Sequence, residues 1–416
     1  MMSGATPALS GIIGNDWYDR ETGKQVTSVS DPTGKLLGAE GEASSPKRLL
    51  VSAIGDELKR SGSPGSKVIG ISMRDRGAIL PAGRMADAAY WFDNPSGAFV
   101  SSDYYFPQPP AWVQAFNAAG HIQRFAGQTW VAGRTLPSEA GPLLNDALYE
   151  SSYGNDLLES FAADLIRKEK LGQRGVSFSS NDAVGHTYGP DSPEAHAVSL
   201  GVDVSLGRLF SAVDAAAGME NVLVVLTADH AVSPVPEVLA EQRLLGGRVQ
   251  GSFFADDDEA LAAKYGPGKW IEATAGTSPY FNYKLMEENG VDRAEAEDIV
   301  AVAMRKHPQV ARVYTRHQIL AGRAVYDAVD SRVLRSFNPQ RSGDLEIVLN
   351  PYWIRTASGT THGSPYNYDS HIPLVFMGPG IKPGRYYKAA ALNDAALLDI
   401  EMPSGSLGRI LDEIIK

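Results

Sequence analysis

The chain has 416 residues, 43% hydrophobic and 21% charged, an ordinary globular balance with room for one large α/β domain with insertions or for two domains. Its formal net charge of -11 argues against a nucleic-acid-binding surface and leaves an anionic substrate to be drawn by local positive charge, from metals and arginines. Cysteine is absent, which excludes disulfides, thiolate metal sites and a cysteine nucleophile within this sequence. The first seven residues, M-M-S-G-A-T-P, carry neither a basic stretch nor a long apolar one, so no signal peptide is expected there. No apolar run has the length of a transmembrane helix, and no membrane insertion is expected.

In chain order, the Gly-rich G-I-I-G-N-D-W-Y-D comes almost at once, as though the sequence opened in mid-domain. The apolar run 68–72 reads as a buried strand leading straight into Arg74-Asp75-Arg76-Gly77. Residues 84–150, rich in Pro, Trp, Tyr and Gly, are expected to form a loop-rich insertion. Val202, Leu206, Leu209 and Val213 repeat at helical spacing, and Gly218 stands where that helix should stop. The aliphatic run 222–226 reads as the next strand, with Asp229 and His230 beyond its carboxyl end, the edge at which open α/β sheets bind ligands. Residues 251–350 are expected to be an α+β cap insertion, with a strand near 280–283, a helix over 294–304 and further strands at 310–315 and 345–349. A last strand over 372–376 stops at Gly378. Continuous β-branched runs suit strands covered on both faces. The expected class is therefore α/β, with a mostly parallel central sheet sandwiched by helices and a smaller α+β cap.

Five residues of metal-ligand type lie in three separated segments: Asp182 and His186 in N-D-A-V-G-H-T-Y-G-P, Asp229 and His230 in L-T-A-D-H, and His362 in T-T-H-G-S-P-Y-N-Y-D. Carboxylate and imidazole in that proportion suit zinc or a similar ion, and a set this large can serve two ions, as in phosphoryl-transfer sites. Spaced four apart, Asp182 and His186 would face one ion from a helical turn; alone, they read equally well as a helix cap and a surface histidine. Asp229 and His230 are adjacent and reach one site only if their strand has already ended. The other histidines have no comparable company.

Together these segments resemble the alkaline phosphatase superfamily, in the bacterial single-domain branch related to type I phosphodiesterases and nucleotide pyrophosphatases. The resemblance runs through G-I-I-G-N-D-W-Y-D-R-E-T-G, S-P-K-R-L-L, V-I-G-I-S-M-R-D-R-G-A-I-L-P-A-G, N-D-A-V-G-H-T-Y-G-P-D-S-P-E, L-T-A-D-H, T-H-G-S-P-Y-N-Y-D-S-H-I-P-L and M-P-S-G-S-L-G-R. It implies one zinc held by Asp182, His186 and His362. It implies a second held by Asp229 and His230 with help from a further aspartate and a nucleophilic threonine or serine. Asn15 would hydrogen-bond a phosphate oxygen. Arg74 and Arg76 match a Lys-x-Arg pair that clamps the non-bridging oxygens in monoesterase members, with Arg here in the Lys position. Small phosphate esters are the implied substrates, and periplasm or exterior the implied location; the oligomeric state does not follow.

In this family the nucleophile and the first metal-binding aspartate lie upstream of G-N-D-W. The expectation is thus a catalytic domain over 1–416 that is N-terminally incomplete, with one metal site complete and the other half-supplied. Thr6 and Ser10 stand too close to Asn15 to match the nucleophile. The strand before Asp182 looks short, and residues 391–400 look compressed against the family's helix before M-P-S-G-S. Three functions follow as alternatives. They are a zinc phosphomonoesterase, favoured by the two arginines; a phosphodiesterase or nucleotide pyrophosphatase on the same scaffold; and a non-catalytic metal- and phosphate-binding fragment. A sulfatase is disfavoured because that branch needs a modified Cys or Ser.

Overall fold

The computed structural model describes residues 2–62, 65–169, 172–249, 255–323, 327–386, 398, 400–408 and 411–415. Two units divide the chain: Met1–Ser10, Val29–Asp229 and Ile372–Lys416 form one, and Gly11–Ser28 with His230–His371 the other.

In the first unit the strand Lys67–Ser72 pairs in parallel with Ala88–Asp93 on one side and Gly172–Ser177 on the other. Ala98–Ser102 is antiparallel to Ala88–Asp93, and Leu36–Leu37 lies antiparallel to Ala98–Ser102 at the edge of the five-stranded sheet. The sheet is α/β in class but mixed in direction. A four-residue link closed by Gly97 (φ +68°) joins Asp93 to Ala98, and so short a connection can only return the chain antiparallel. Within 84–150, expected to be loop-rich, these two strands thus belong to the main sheet.

Helices cover both faces, and the sequence A-A-Y-W-F explains how. Alternate side chains leave a strand on opposite faces. Tyr90 and Phe92 join Leu157, Leu158 and Phe161 of the helix Ser152–Lys168, whereas Ala89 and Trp91 join Ala78 and Ile79 of the helix Asp75–Ala82. Phe161 also stacks on Phe99, ring centroids 4.0 Å apart. Each such fully buried aromatic side chain contributes on the order of 2–3 kcal/mol of apolar burial. Gly70 lets the helix approach more closely still, because a Cβ there would collide with the Ala78 carbonyl.

The helix expected around Val202–Val213 spans Pro193–Ala217 and stops at Gly218, whose φ is +73°. The next strand, Val224–Thr227, departs from expectation. It pairs antiparallel with Leu374–Met377, and Leu226, Val375 and Met377 are exposed, so this pair is not covered on both faces. An apolar run fixes strand propensity but not which strand will pair with it, nor in which direction.

The second unit is α+β. Three antiparallel pairs recur in it: Asp16–Asp19 with Lys24–Thr27, Ile271–Ala275 with Ser278–Phe281, and Val310–Thr315 with Leu345–Leu349. The helix Arg293–Met304 packs Ala296, Val300, Ala301 and Met304 against Phe281, Val313, Leu345 and Ile347. The helix and the strands Val310–Thr315 and Leu345–Leu349 fall where expected, whereas the strand expected near 280–283 runs over Ser278–Phe281 and Tyr283 opens the helix Tyr283–Glu288. The early segment is tied in by Arg20, whose guanidinium bonds the buried Asp344 at 2.8 Å and lies over the Tyr280 and Tyr283 rings. Residues 391–397, expected to be compressed, lie outside the described residues.

Candidate active site

In the first unit, the chain leaves Lys67–Ser72 and turns directly into Asp75–Ala82, with Arg74 as the extended residue before the helix and Arg76 in its first turn. Gly77 makes that tight turn feasible: a Cβ there would stand 2.6 Å from Ser72 Oγ and 3.0 Å from Ser177 Oγ. The Arg74 N–H donates to Ser72 Oγ at 3.0 Å, and the Arg76 N–H donates to Asp75 Oδ1 at 2.7 Å. Ser72 Oγ also shares a hydrogen bond of 2.8 Å with Ser179 Oγ, so the Arg74 turn is linked to the residue that opens the helix Ser180–Tyr188.

That helix carries Asp182 in its first turn and His186 in its last, before Gly189 (φ +86°) ends it. His186 Nε2 stands 3.4 Å from Asp182 Oδ1, both side chains partly exposed. Two ligands at about 2.1 Å from a tetrahedral zinc stand about 3.4 Å apart, so this pair fits one ion without rearrangement. The Arg74 guanidinium lies over the buried Tyr149 ring, 4.2 Å from its centroid. Burial raises the pKa of the Tyr149 hydroxyl; the charge and hydrogen bond of Arg74 oppose that, and Asp182 adds to it. Asp229 follows the strand Val224–Thr227, which ends before it, as its proposed role requires.

In the second unit, Asn15 is exposed just before Asp16–Asp19, and its carbonyl accepts the Ser28 N–H at 2.8 Å. The rings of His230 and His362 stack with centroids 3.4 Å apart, although 132 positions separate them in sequence. Hydrogen bonds hold their two loops together. Thr360 Oγ1 donates to the Ser233 carbonyl (2.8 Å), and the Ser233 N–H donates to the Thr361 carbonyl (3.1 Å). The buried Asp369 bridges both loops: its carbonyl accepts the Ala231 N–H and its Oδ2 accepts the Ser364 N–H, each at 2.7 Å. Burial raises the Asp369 pKa, while its hydrogen bonds from Ser364 and the charge of His230 work the other way. His230 Nδ1 lies 2.9 Å from the Ala231 carbonyl; donating there assigns its proton to Nδ1 and leaves Nε2 as the acceptor nitrogen.

Sequence reasoning thus found one pair that the fold brings together, Asp182 with His186; His230 and His362, which it assigned to different ions, lie against each other instead. It gave no role to Tyr149 or Asp369. Asp369 closes the Y-N-Y-D of the His362 segment, where a charged residue after two tyrosines was the only signal; Tyr149 carried none.

The family model for type I phosphodiesterase / nucleotide pyrophosphatase matches residues 1–371. The chain belongs to that family. A Myroides odoratus protein named calcium-transporting ATPase is 32% identical to it, over all of this chain and 84% of that protein. Alkaline phosphatase PhoV of Synechococcus elongatus is also 32% identical, over all of this chain and 82% of PhoV. The crystal structure of wild-type alkaline phosphatase PafA matches with a TM-score of 0.91 at 29% identity, covering 100% of this chain and 88% of that one. The resemblance drawn from the motifs and the α/β alkaline phosphatase-like fold both hold. By that resemblance this family member is a phosphoric ester hydrolase. Among the described residues, no helix is long and apolar enough to cross a membrane.

Proposed function

We propose that the chain hydrolyses small phosphate monoesters with two zinc ions. Asp182, His186 and His362 hold one, and Asp229 and His230 contribute to the other. The observation that carries this reading is the 3.4 Å spacing of Asp182 Oδ1 and His186 Nε2, which suits a shared tetrahedral ion. Bound zinc would offset phosphate charge and activate an attacking oxygen.

The chain's own residues do the rest. Arg74 and Arg76, side by side where a strand becomes a helix, donate in-plane hydrogen bonds to the non-bridging oxygens. Asn15 donates a further one. A monoester dianion carries more charge than a diester monoanion, so retention of two arginines favours monoesters. The second-unit loops hold the rings of His230 and His362 side by side, with centroids 3.4 Å apart. The reaction implied by the resemblance runs through a phosphoryl-enzyme. A hydroxyl oxygen attacks phosphorus, the ester oxygen departs with a proton as the alcohol, and water then releases phosphate. No residue of this chain is assigned as that nucleophile. Location in the periplasm or outside the cell is proposed on the same resemblance.

A phosphodiesterase is the second reading, favoured by the family whose model the chain matches. Hydrolysis of an aryl phosphate monoester beside an aryl diester, with zinc supplied, separates the two. Faster monoester turnover that is lost in His362→Ala supports the first reading. Faster diester turnover, indifferent to loss of Arg74 and Arg76, supports the second. Tight zinc and phosphate binding without turnover of either ester would overturn both and leave a binding protein.

A further inference from the structure

We propose that Tyr149 is a positioning residue for Arg74, and that through Arg74 it favours monoester dianions over diester monoanions. This rests on the reading of Arg74 as a phosphate clamp. The Arg74 backbone is already fixed: it is extended before its helix, with its N–H bonded to Ser72 Oγ at 3.0 Å. Its side chain is otherwise exposed, and a long exposed arginine samples many rotamers. The Tyr149 ring removes that freedom by lying against the guanidinium, 4.2 Å from its central carbon.

Tyr149 is itself immobile. It is 6% exposed and belongs to the cluster around Phe161 and Leu158. Its backbone packs so closely on the helix Ser152–Lys168 that a Cβ at Gly154 would stand 3.3 Å from Tyr149 Cα and 2.8 Å from the Leu148 carbonyl. The same Cβ would collide with Ser180 Oγ, in the first turn of the helix that carries Asp182. The aromatic surface under Arg74 is therefore anchored to the element bearing the proposed metal ligands of this unit.

Chemistry explains why this matters for an arginine. A guanidinium is planar and carries five N–H donors, so an Arg74 that rests its central carbon over the ring and gives one hydrogen bond to the Tyr149 hydroxyl keeps further donors for phosphate oxygens. A lysine ammonium has no plane for a ring to orient. The Arg that replaces Lys in R-D-R-G and the tyrosine beneath it thus act as one unit. Contact with the ring also limits where the donors can point, which is worth most to a substrate with three charged non-bridging oxygens and less to a diester with two.

The test is calorimetric binding of inorganic phosphate to the zinc-loaded full chain, with the monoester to diester kcat/KM ratio as a second readout. Tyr149→Leu should weaken phosphate binding at least fivefold and lower the ratio, while Tyr149→Phe, which keeps the ring face, should stay within about threefold of wild type. In an Arg74→Ala background, Tyr149→Leu should add no further loss. Tyr149→Met, unbranched and more easily accommodated in a core, replaces Tyr149→Leu should that variant not fold. An equal loss with and without Arg74, or no loss in either leucine or methionine variant, overturns the proposal. If Arg74→Ala weakens phosphate and Tyr149→Leu does not, only the role of Tyr149 fails. If Arg74→Ala changes nothing, or the wild-type chain binds no phosphate, the reading of Arg74 itself fails and takes the proposal with it.

Discussion

His186 Nε2 faces Asp182 Oδ1 across one turn of the helix Ser180–Tyr188, at 3.4 Å. A helix places i and i+4 side chains on one face, so these two donor atoms stand together at the spacing of two ligands on one tetrahedral ion. Replacing either by alanine should remove about one equivalent of bound zinc, measured by elemental analysis after dialysis. The monoester kcat/KM should fall on the order of a hundredfold or more. Zinc content equal to wild type in both variants would sink the assignment.

Asp344 is fully buried and accepts from Arg20 Nη2 at 2.8 Å, from the Phe281 N–H at 2.6 Å and from the Tyr283 hydroxyl. Truncating it leaves three donors facing an empty space, Arg20 among them. Removing one partner of a buried ion pair costs on the order of 3 kcal/mol or more. Asp344→Ala should show that loss in urea unfolding, whereas Lys284→Ala, whose exposed side chain stands 4.0 Å from Glu288, should change stability by less than about 0.5 kcal/mol.

Gly70 sits under Ala78, with no room for even a methyl group between strand and helix. Gly70→Ala should therefore destabilise the fold by about 1–3 kcal/mol through forced separation of the two elements, read as a lower thermal midpoint. An unchanged or raised midpoint would show that the helix can shift at little cost.

Glu346 accepts a hydrogen bond from Ser278 Oγ at 2.7 Å, yet burial dominates and pushes its pKa up to about 7 from the usual carboxylate range. Because the folded state holds this proton more tightly than the unfolded state, the contribution is full below pH ~4.5 and is lost as pH rises through ~7. The loss is at most about 3 kcal/mol, and less if water reaches the half-buried group. Glu346→Gln should consequently match wild type near pH 4.5 and exceed its thermal midpoint at pH 8. Parallel midpoints at both pH values would remove Glu346 as the cause.

Much of the second unit was legible in the sequence. The strands Val310–Thr315 and Leu345–Leu349 and the helix Arg293–Met304 declare themselves through β-branched runs and through apolar residues at helical spacing. Val224–Thr227 was legible as a strand and its antiparallel partner was not, because side-chain alternation says which residues share a face and nothing about the neighbour across the hydrogen bonds.

By itself the sequence determined the family, the donor chemistry of Asp182, His186, Asp229, His230 and His362, and the i, i+4 pairing of the first two. All of these depend on residue identity and short-range spacing. Only the tertiary structure decided that His362 stacks on His230, that Asp369 bridges their loops, and that Tyr149 lies under Arg74. Those contacts reach 75 positions from Tyr149 to Arg74, 132 from His362 to His230 and 138 from Asp369 to Ala231, and packing between distant elements, not local periodicity, brings such residues together.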